Sequence, residues 1–131
     1  MIYLDSSALL KLLYEERESA ALDEWLSAQS DVPVVSSELA KVEVVRACRR
    51  INPDALPEAR ALLAGLDLIP LTSDVLDEAA GVGDTLLGSL DAIHLASALS
   101  IRADVSAFVA YDLRLGDAAA VAGLVSVRPG T

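Results

Sequence analysis

Short apolar runs alternate with longer amphipathic stretches along the whole chain. The runs have the length of strands, and the longer stretches repeat with the period of a helix. The predicted strands cover residues 2–4, 34–35, 68–71, 107–111 and 124–127. The predicted helices cover residues 7–14, 17–29, 38–51, 57–66, 90–101 and 113–122, with one more between a Ser73-Asp74 cap and residue 81. Because strands separated by helices are joined by parallel crossovers, the sequence predicts an α/β fold with a mainly parallel sheet.

The length of the chain indicates one domain. Its 131 residues suffice to bury one core, and we find no internal repeat, low-complexity tract or linker. We therefore expect residues 1–131 to form a single domain. The only cysteine, Cys48, lies in an apolar helical pattern and is predicted to be a buried thiol, so no disulfide framework is possible.

The charge of the chain limits the ligands that it can hold. Ten basic and 20 acidic residues give a formal net charge of −10, which opposes general adhesion to nucleic acid or anionic membranes. An acidic chain that acts on a polyanion needs metal ions, a local basic patch, or both. No apolar run of ~18 residues and no signal-type leader is present, so we expect a cytoplasmic protein without membrane contact.

Two acids directly follow predicted strands. Asp5 follows the first strand and Asp112 follows the fourth. Ligands bind at the carboxyl ends of the strands in open parallel sheets, so we expect both acids at the same edge. The alternative for each acid alone is a helix cap that accepts backbone N–H bonds.

Glu43 lies inside a predicted helix, at the border of its apolar face. One alternative is a surface ion pair with Arg46 or Arg50 at helical spacing. The other is a half-buried carboxylate that is available to a metal. The predicted buried face consists of Ala40, Val44, Ala47, Cys48 and Ile51.

Asp91 occupies the first turn of the most apolar helix, for which Ser89 is the predicted N-cap. The helix dipole stabilises an anion there, and an acid that only complements the dipole is the alternative to a site residue. His94 follows one turn later. We interpret it as a hydrogen-bonded, half-buried histidine, with a metal ligand or base as the less favoured role because hard cations prefer oxygen.

The four acids come from four separate segments and can meet in one pocket. Without a cation, nearby carboxylates raise each other's pKa. Because the chain offers no set of Cys and His ligands, Mg²⁺ or Mn²⁺ bound through oxygen and water is the predicted metal. Attack of metal-activated water on a phosphodiester is the chemistry that suits such a pocket best.

Four stretches of the sequence carry a family resemblance. They are LDSSALLKLL, SELAKVEVVRACRR, LDAIHLASAL and FVAYDLRLGDAAAVAGLVSVRP. In order and spacing the chain resembles the PIN-domain nucleases over essentially its whole length, and specifically the VapC toxins of bacterial toxin–antitoxin pairs. The resemblance implies a three-layer sandwich with helices on both faces of the sheet and an Mg²⁺-dependent ribonuclease. It also implies frequent homodimers and a cognate VapB-like antitoxin.

The resemblance also implies roles for individual residues. The four catalytic acids of the family fall on Asp5, Glu43, Asp91 and Asp112. Direct metal contact is implied mainly for Asp5 and Asp91, while the other two complete the pocket through waters or a second ion. Ser7 matches a small hydroxyl residue that orients the first acid, and it is also our predicted cap of the first helix. The neighbouring acids that rank below these four are Glu38 and Asp117.

Two further features concern the surroundings of the acids. Ala110 departs from the family pattern, in which a Thr or Ser often precedes the Tyr-Asp pair, so a hydroxyl contact is absent there. A basic cluster lies around Glu43. It is either a solvated helix face or a strip that contacts phosphate without reading sequence. Its members are Lys41, Arg46, Arg49 and Arg50.

Other function classes remain open from the residues alone. A phosphotransfer hydrolase with a nucleophilic Asp at a strand end usually has a second acid two residues later, where this chain has Ser7. A receiver-like binding module requires a lysine late in the chain, but the only lysines are Lys11 and Lys41. A PIN-like nuclease that is not a toxin, or a catalytically silent acidic binding module, is the remaining alternative.

Overall fold

A computed structural model describes residues 1–131, and its centre is a sheet of five strands. The strands are β1 (Ile2–Leu4), β2 (Val34–Ser37), β3 (Asp67–Ile69), β4 (Ala107–Val109) and β5 (Ser126–Val127). Their order in the sheet is β3-β2-β1-β4-β5, and every neighbouring pair is parallel. The predicted α/β fold is confirmed, and the sheet is parallel throughout.

Seven α-helices connect the strands. They are α1 (Ser6–Leu13), α2 (Ser19–Ser27), α3 (Leu39–Ile51), α4 (Leu56–Ala64), α5 (Ser73–Gly81), α6 (Ser89–Leu99) and α7 (Leu113–Val121). The predicted helices all form, with ends that differ by a few residues. The sequence patterns did not predict the two 3-10 helices, Pro53–Ala55 and Arg102–Asp104. No helix of the chain combines the length and the apolar character that a membrane crossing requires.

Helices cover both faces of the sheet. Successive side chains of β1 alternate between two cores: Ile2 and Leu4 pack with residues of α1 to α4, and Tyr3 packs with residues of α6 and α7. A strand that is buried on both faces has no polar side, which explains the continuous apolar run at the start of the chain. The structure is therefore the three-layer sandwich that the family resemblance implied.

The packed face of α3 matches its predicted pattern in all but one residue. Ala40, Val44, Ala47 and Cys48 are buried, and Cys48 is a free thiol. Ile51 is 59% exposed, so its prediction as a core residue is wrong. Because Ile51 is the last residue of α3, the buried face ends one turn earlier, at Cys48.

The order of the strands determines where a site can form. β1 lies between β2 and β4, so the residue after β1 stands at the middle of the carboxyl edge of the sheet. That residue is Asp5, which follows Leu4 directly. The parallel sheet therefore places the first predicted acid at the edge where open α/β sheets bind their ligands.

Candidate active site

All four predicted acids line one cleft. Asp5, Glu43, Asp91 and Asp112 surround a space of about 400 Å³. They come from the end of β1, from α3, from the first turn of α6 and from the start of α7. The other lining residues are Ser6, Ser7, Leu10, Arg46, Ala47, Arg50 and His94. The structure thus brings together every acid that the sequence analysis selected.

Asp5 is both a helix cap and a residue of the cleft. It is 4% exposed, and its Oδ1 accepts hydrogen bonds from the Ala8 N–H at 2.9 Å and from Ser7 Oγ at 2.7 Å. Burial raises the pKa of this carboxyl, while Ser7, His94 and the Ala8 N–H oppose the shift. The prediction that Ser7 caps α1 is wrong, because Asp5 is the N-cap and Ser7 donates to it. Asp5 Oδ2 forms no hydrogen bond with the protein.

Asp112 repeats this arrangement at the start of α7. Its Oδ1 accepts the Leu115 N–H at 3.0 Å, which makes it the N-cap, and its side chain is exposed. The prediction placed Asp112 directly after the fourth strand. In the structure β4 ends at Val109, so two residues separate the strand from Asp112. For both Asp5 and Asp112, capping uses one carboxylate oxygen and leaves the other free. For both residues, a role as a helix cap therefore does not exclude a role in the site.

Glu43 is held by groups from two other elements. Its Oε1 accepts the Ser6 hydroxyl at 2.7 Å and lies 2.7 Å from His94 Nε2. Burial favours the neutral carboxyl, but the hydrogen bonds from His94 and Ser6 prevail and lower the pKa of Glu43. Neither Arg46 nor Arg50 forms an ion pair with Glu43, so the surface ion pair considered for Glu43 does not form.

His94 is more deeply buried and more fully bonded than the sequence suggested. It is 1% exposed, and the Tyr3 hydroxyl lies 2.7 Å from its Nδ1. Since a carboxylate only accepts hydrogen bonds, Nε2 donates to Glu43. Both ring nitrogens are engaged, which leaves none for a metal. No sequence pattern revealed the contact between His94 and Glu43. The available signal was the position of His94 three residues after Asp91, because this spacing directs both side chains of α6 to the same cleft.

Asp91 lies at the edge of the core in the first turn of α6. Burial raises the pKa of its carboxyl, the negative charges of Asp112 and Glu43 raise it further, and His94 opposes the shift. Gly88 occupies the N-cap position of α6 and has no side chain to accept a hydrogen bond, so the prediction of a Ser89 cap is wrong. Asp91 therefore experiences the mutual repulsion that is expected of clustered carboxylates.

The remaining candidates lie outside this cleft. Ala110 is fully buried in the core between the sheet and α6 and α7, so no hydroxyl reaches the acids from that position. Glu38 Oε1 accepts the Leu71 N–H at 3.1 Å, which is a structural contact. Asp117 is exposed on α7 and lines a wider neighbouring cleft of about 1350 Å³, which shares Asp91 and Asp112 with the first.

The donor set suits a hydrated divalent cation. No group of three or more His, Cys, Asp or Glu side chains is arranged to hold an ion directly. Asp5, Glu43 and Asp112 each use one oxygen in a protein contact and keep the second. Mg²⁺ in proteins usually binds through one or two carboxylates and keeps several waters. The residues present therefore fit a hydrated divalent cation, and direct contact by Asp5 and Asp91 stays a prediction.

Comparison with known proteins extends these observations. The PIN domain family matches residues 2–121. The chain is 45% identical to ribonuclease VapC47 of Mycobacterium tuberculosis (strain CDC 1551 / Oshkosh) in an alignment of 133 positions, which spans 99% of this chain and 98% of that protein. It is 42% identical to ribonuclease VapC35 of Mycobacterium tuberculosis (strain ATCC 25618 / H37Rv) in an alignment of 132 positions, which again spans 99% of this chain and 98% of that protein.

Solved structures share the fold at low sequence identity. The Mycobacterium tuberculosis toxin VapC20, described as cleaving the sarcin-ricin loop, has a TM-score of 0.76 at 20% identity and covers 98% of this chain and 100% of its own. VapBC2 of Rickettsia felis, bound to a DNA fragment from its promoter, has a TM-score of 0.70 at 11% identity, with coverage of 98% and 99%. At these identities the structures support the sandwich architecture alone.

Proposed function

Since the chain belongs to the PIN-domain family, in its VapC branch, we propose that it is a metal-dependent endoribonuclease that acts as the toxin of a toxin–antitoxin pair. The observation that carries this proposal is the convergence of four carboxylates from four segments on one cleft. Such a cluster suits hydrolysis of a phosphodiester. The relatives at 42% and 45% identity are named ribonucleases, which supports the substrate class.

The proposed metal is Mg²⁺, with Mn²⁺ as the alternative, held by Asp5 and Asp91. Dependence on a divalent metal is general among PIN-domain ribonucleases. When bound, such an ion supplies activation of water and neutralisation of phosphate charge. The chain prepares the site for it, because Ser7 and the Ala8 N–H fix Asp5. Burial, together with the negative charges of Asp112 and Glu43, raises the pKa of Asp91, and a bound cation would offset those charges.

The other two acids complete the proposed site as acceptors for the attacking water. The lowered pKa of Glu43 keeps it ionised, so that it can accept a hydrogen bond or a proton from that water. The contacts from His94 and Ser6 fix one oxygen of Glu43 and leave Oε2 for this role. Asp112 offers its second oxygen from beyond the carboxyl end of the neighbouring strand β4.

The proposed partners follow from the same assignment. They are an RNA substrate, a VapB-like antitoxin and a second copy of the chain in a homodimer. The solved structure of VapBC2 from Rickettsia felis, which is bound to a DNA fragment from its promoter, supports the proposal of a VapB-like partner. Since RNA is the proposed substrate, the cytoplasm is the proposed compartment.

The structure gives no support to the other enzyme and binding classes. The phosphotransfer hydrolases usually have a second acid two residues after the first, but here Ser7 stands at that position and donates to Asp5. A receiver-like site requires a lysine beside the acids. Lys11 is paired with Glu18 at 2.8 Å, and neither Lys11 nor Lys41 lines the cleft.

Expression in cells tests the proposed function. We expect the wild type to arrest growth and to cleave RNA with Mg²⁺ present, and Asp5→Asn to do neither. Asn retains a side-chain oxygen for the helix cap, so the variant should fold. Asp23→Asn, at an exposed position of α2, is the matched control and should stay active. A wild type that cleaves no RNA with Mg²⁺ or Mn²⁺, or a fully active Asp5→Asn, would overturn the proposal.

A further inference from the structure

Two arginines line the acid cleft without a carboxylate partner. Arg46 and Arg50 are exposed residues of α3, and both border the same space as the four acids. The ion pairs of the structure join Lys11 to Glu16 and to Glu18, and His94 to Glu43. Neither arginine takes part in an ion pair, although the chain has a net charge of −10.

Neither arginine pairs with Glu43, the acid that precedes them on the same side of α3. Arg46 follows Glu43 by three residues and Arg50 follows it by seven, so all three lie on one side of the helix. A Glu and an Arg three residues apart on a helix, such as Glu43 and Arg46, are close enough to form an ion pair. Here the Ser6 hydroxyl and His94 Nε2 hold Glu43 Oε1 instead. The guanidinium groups therefore stay available to a ligand that enters the cleft.

We propose that Arg46 and Arg50 form a subsite that binds backbone phosphate of the RNA beside the scissile bond, an inference that rests on the proposed ribonuclease function. The acids repel a polyanion, and two cations at one wall of the cleft offset that repulsion. A guanidinium binds phosphate through two parallel N–H bonds, which fixes direction as well as distance. Contacts of this kind position the substrate and do not read its sequence.

The same helix supplies a matched control. Lys41 and Arg49 are also exposed residues of α3, but neither lines the cleft. The basic cluster of α3 therefore divides into a pair that faces the acids and a pair that is a solvated surface. The double variants Arg46→Ala/Arg50→Ala and Lys41→Ala/Arg49→Ala remove the same charge from the same helix. Any difference between them reports position and not net charge.

Binding of a labelled single-stranded RNA of random sequence tests the subsite. The full chain carries Asp112→Asn to slow cleavage while Asp5 and Asp91 remain, and Mg²⁺ is present. We expect Arg46→Ala/Arg50→Ala to raise Kd at least about tenfold, given the strength of charged hydrogen bonds. The logarithm of the association constant falls with the logarithm of the salt concentration, and the steepness of this dependence should decrease by about 1.4, the value for two lost phosphate contacts on a single strand. Lys41→Ala/Arg49→Ala should leave Kd within about twofold.

Two further measurements complete the test. Arg46→Lys/Arg50→Lys should recover part of the affinity, because lysine keeps the charge and loses the paired geometry. In the chain that keeps Asp112, Arg46→Ala/Arg50→Ala should lower kcat/KM for RNA cleavage, by raising KM more than by lowering kcat. Thermal unfolding checks that each variant folds, which is expected because both positions are exposed.

The outcomes separate this inference from the function on which it rests. Equal loss of RNA affinity in the two double variants, or no loss in Arg46→Ala/Arg50→Ala while the wild type cleaves RNA, would overturn the subsite alone. If Arg46→Ala/Arg50→Ala kept its RNA affinity but no longer bound the VapB-like antitoxin, the arginines would be assigned to that partner and the subsite would be overturned. A wild type that neither binds nor cleaves RNA would overturn both proposals.

Discussion

His94 and Glu43, 51 residues apart in the chain, are joined by a 2.7 Å contact between Nε2 and Oε1. His94 is in turn 2.7 Å from the hydroxyl of Tyr3, which burial keeps protonated by raising its pKa well above the ordinary value. The contact links α6 and α3, which pack on opposite faces of the sheet, at its carboxyl edge. The orientation of a proposed catalytic acid thus depends on a histidine whose two ring nitrogens are both engaged in contacts within the protein.

Replacement of His94 should affect both stability and catalysis. His94→Ala leaves the Tyr3 hydroxyl without its partner and opens a cavity, so we expect a loss of about 2 to 4 kcal/mol in the free energy of unfolding. Urea denaturation measures this loss. In the folded variant Glu43 loses one of two contacts on Oε1, and kcat for RNA cleavage should fall more than tenfold with KM little changed.

A conservative replacement separates these two effects. His94→Gln restores a donor toward Glu43 at a similar length and should recover part of kcat. Unchanged kcat per folded molecule in His94→Ala would show that the histidine serves folding alone and would contradict a role in positioning Glu43.

The two roles of Asp5 can be separated with two substitutions. Asp5→Ala removes the N-cap of α1 and should cost about 1 kcal/mol of stability, while Asp5→Asn keeps an oxygen for the Ala8 N–H and should cost less. Both variants lack the carboxylate and should lose metal binding. Chemical denaturation and calorimetric titration with Mg²⁺ measure the two properties. Wild-type Mg²⁺ affinity in Asp5→Asn would remove Asp5 from the proposed ligand set.

The sequence predicted the fold well because its signals are local. Alternating runs predicted the strands and helices, and a parallel sheet then required Asp5 and Asp112 to share an edge. What the local reasoning could not resolve was whether each acid caps a helix or serves the site. A carboxylate has two oxygens, and in both residues one oxygen caps while the other stays free.

The internal contacts of the site were less predictable because they join distant segments. The spacing on α3 suggested Arg46 or Arg50 as the partner of Glu43, but the actual partners, Ser6 and His94, come from α1 and α6. Helical periodicity describes the neighbours within one helix only. Which side chain of another element reaches the same carboxylate depends on the packed tertiary structure.

Mg²⁺ should stabilise the folded chain if the cleft holds it. A ligand that binds only the folded state adds about 2.7 kcal/mol at a concentration of 100 times Kd. We expect the unfolding temperature to rise with added Mg²⁺ in the wild type and to stay constant in Asp5→Asn. Arg49→Ala, which alters charge outside the cleft, is the control and should respond as the wild type does. An equal rise in Asp5→Asn would place the ion elsewhere.

Asp91→Asn should make the metal-free protein more stable at neutral pH. Burial and the charges of Asp112 and Glu43 raise the pKa of Asp91 above its ordinary value of 3.8. The folded state then binds more protons than the unfolded state, so the contribution of Asp91 to stability is lost as pH rises through the raised pKa. Asn carries no charge and avoids this loss. Thermal unfolding in a chelator over a series of pH values measures the difference, which should vanish at acid pH.

A second first-turn acid provides the control for this prediction. Asp74 lies in the first turn of α5, is exposed and does not line the cleft. It favours its helix through the dipole alone, so Asp74→Asn should lower stability slightly, by about 0.3 to 1 kcal/mol. If Asp91 also only complemented a dipole, Asp91→Asn would destabilise the protein as Asp74→Asn does. Without metal, we expect Asp91→Asn to raise the free energy of unfolding and Asp74→Asn to lower it. If the gain in Asp91→Asn disappears when Mg²⁺ is added, the Asp91 carboxylate destabilises the fold until a cation binds.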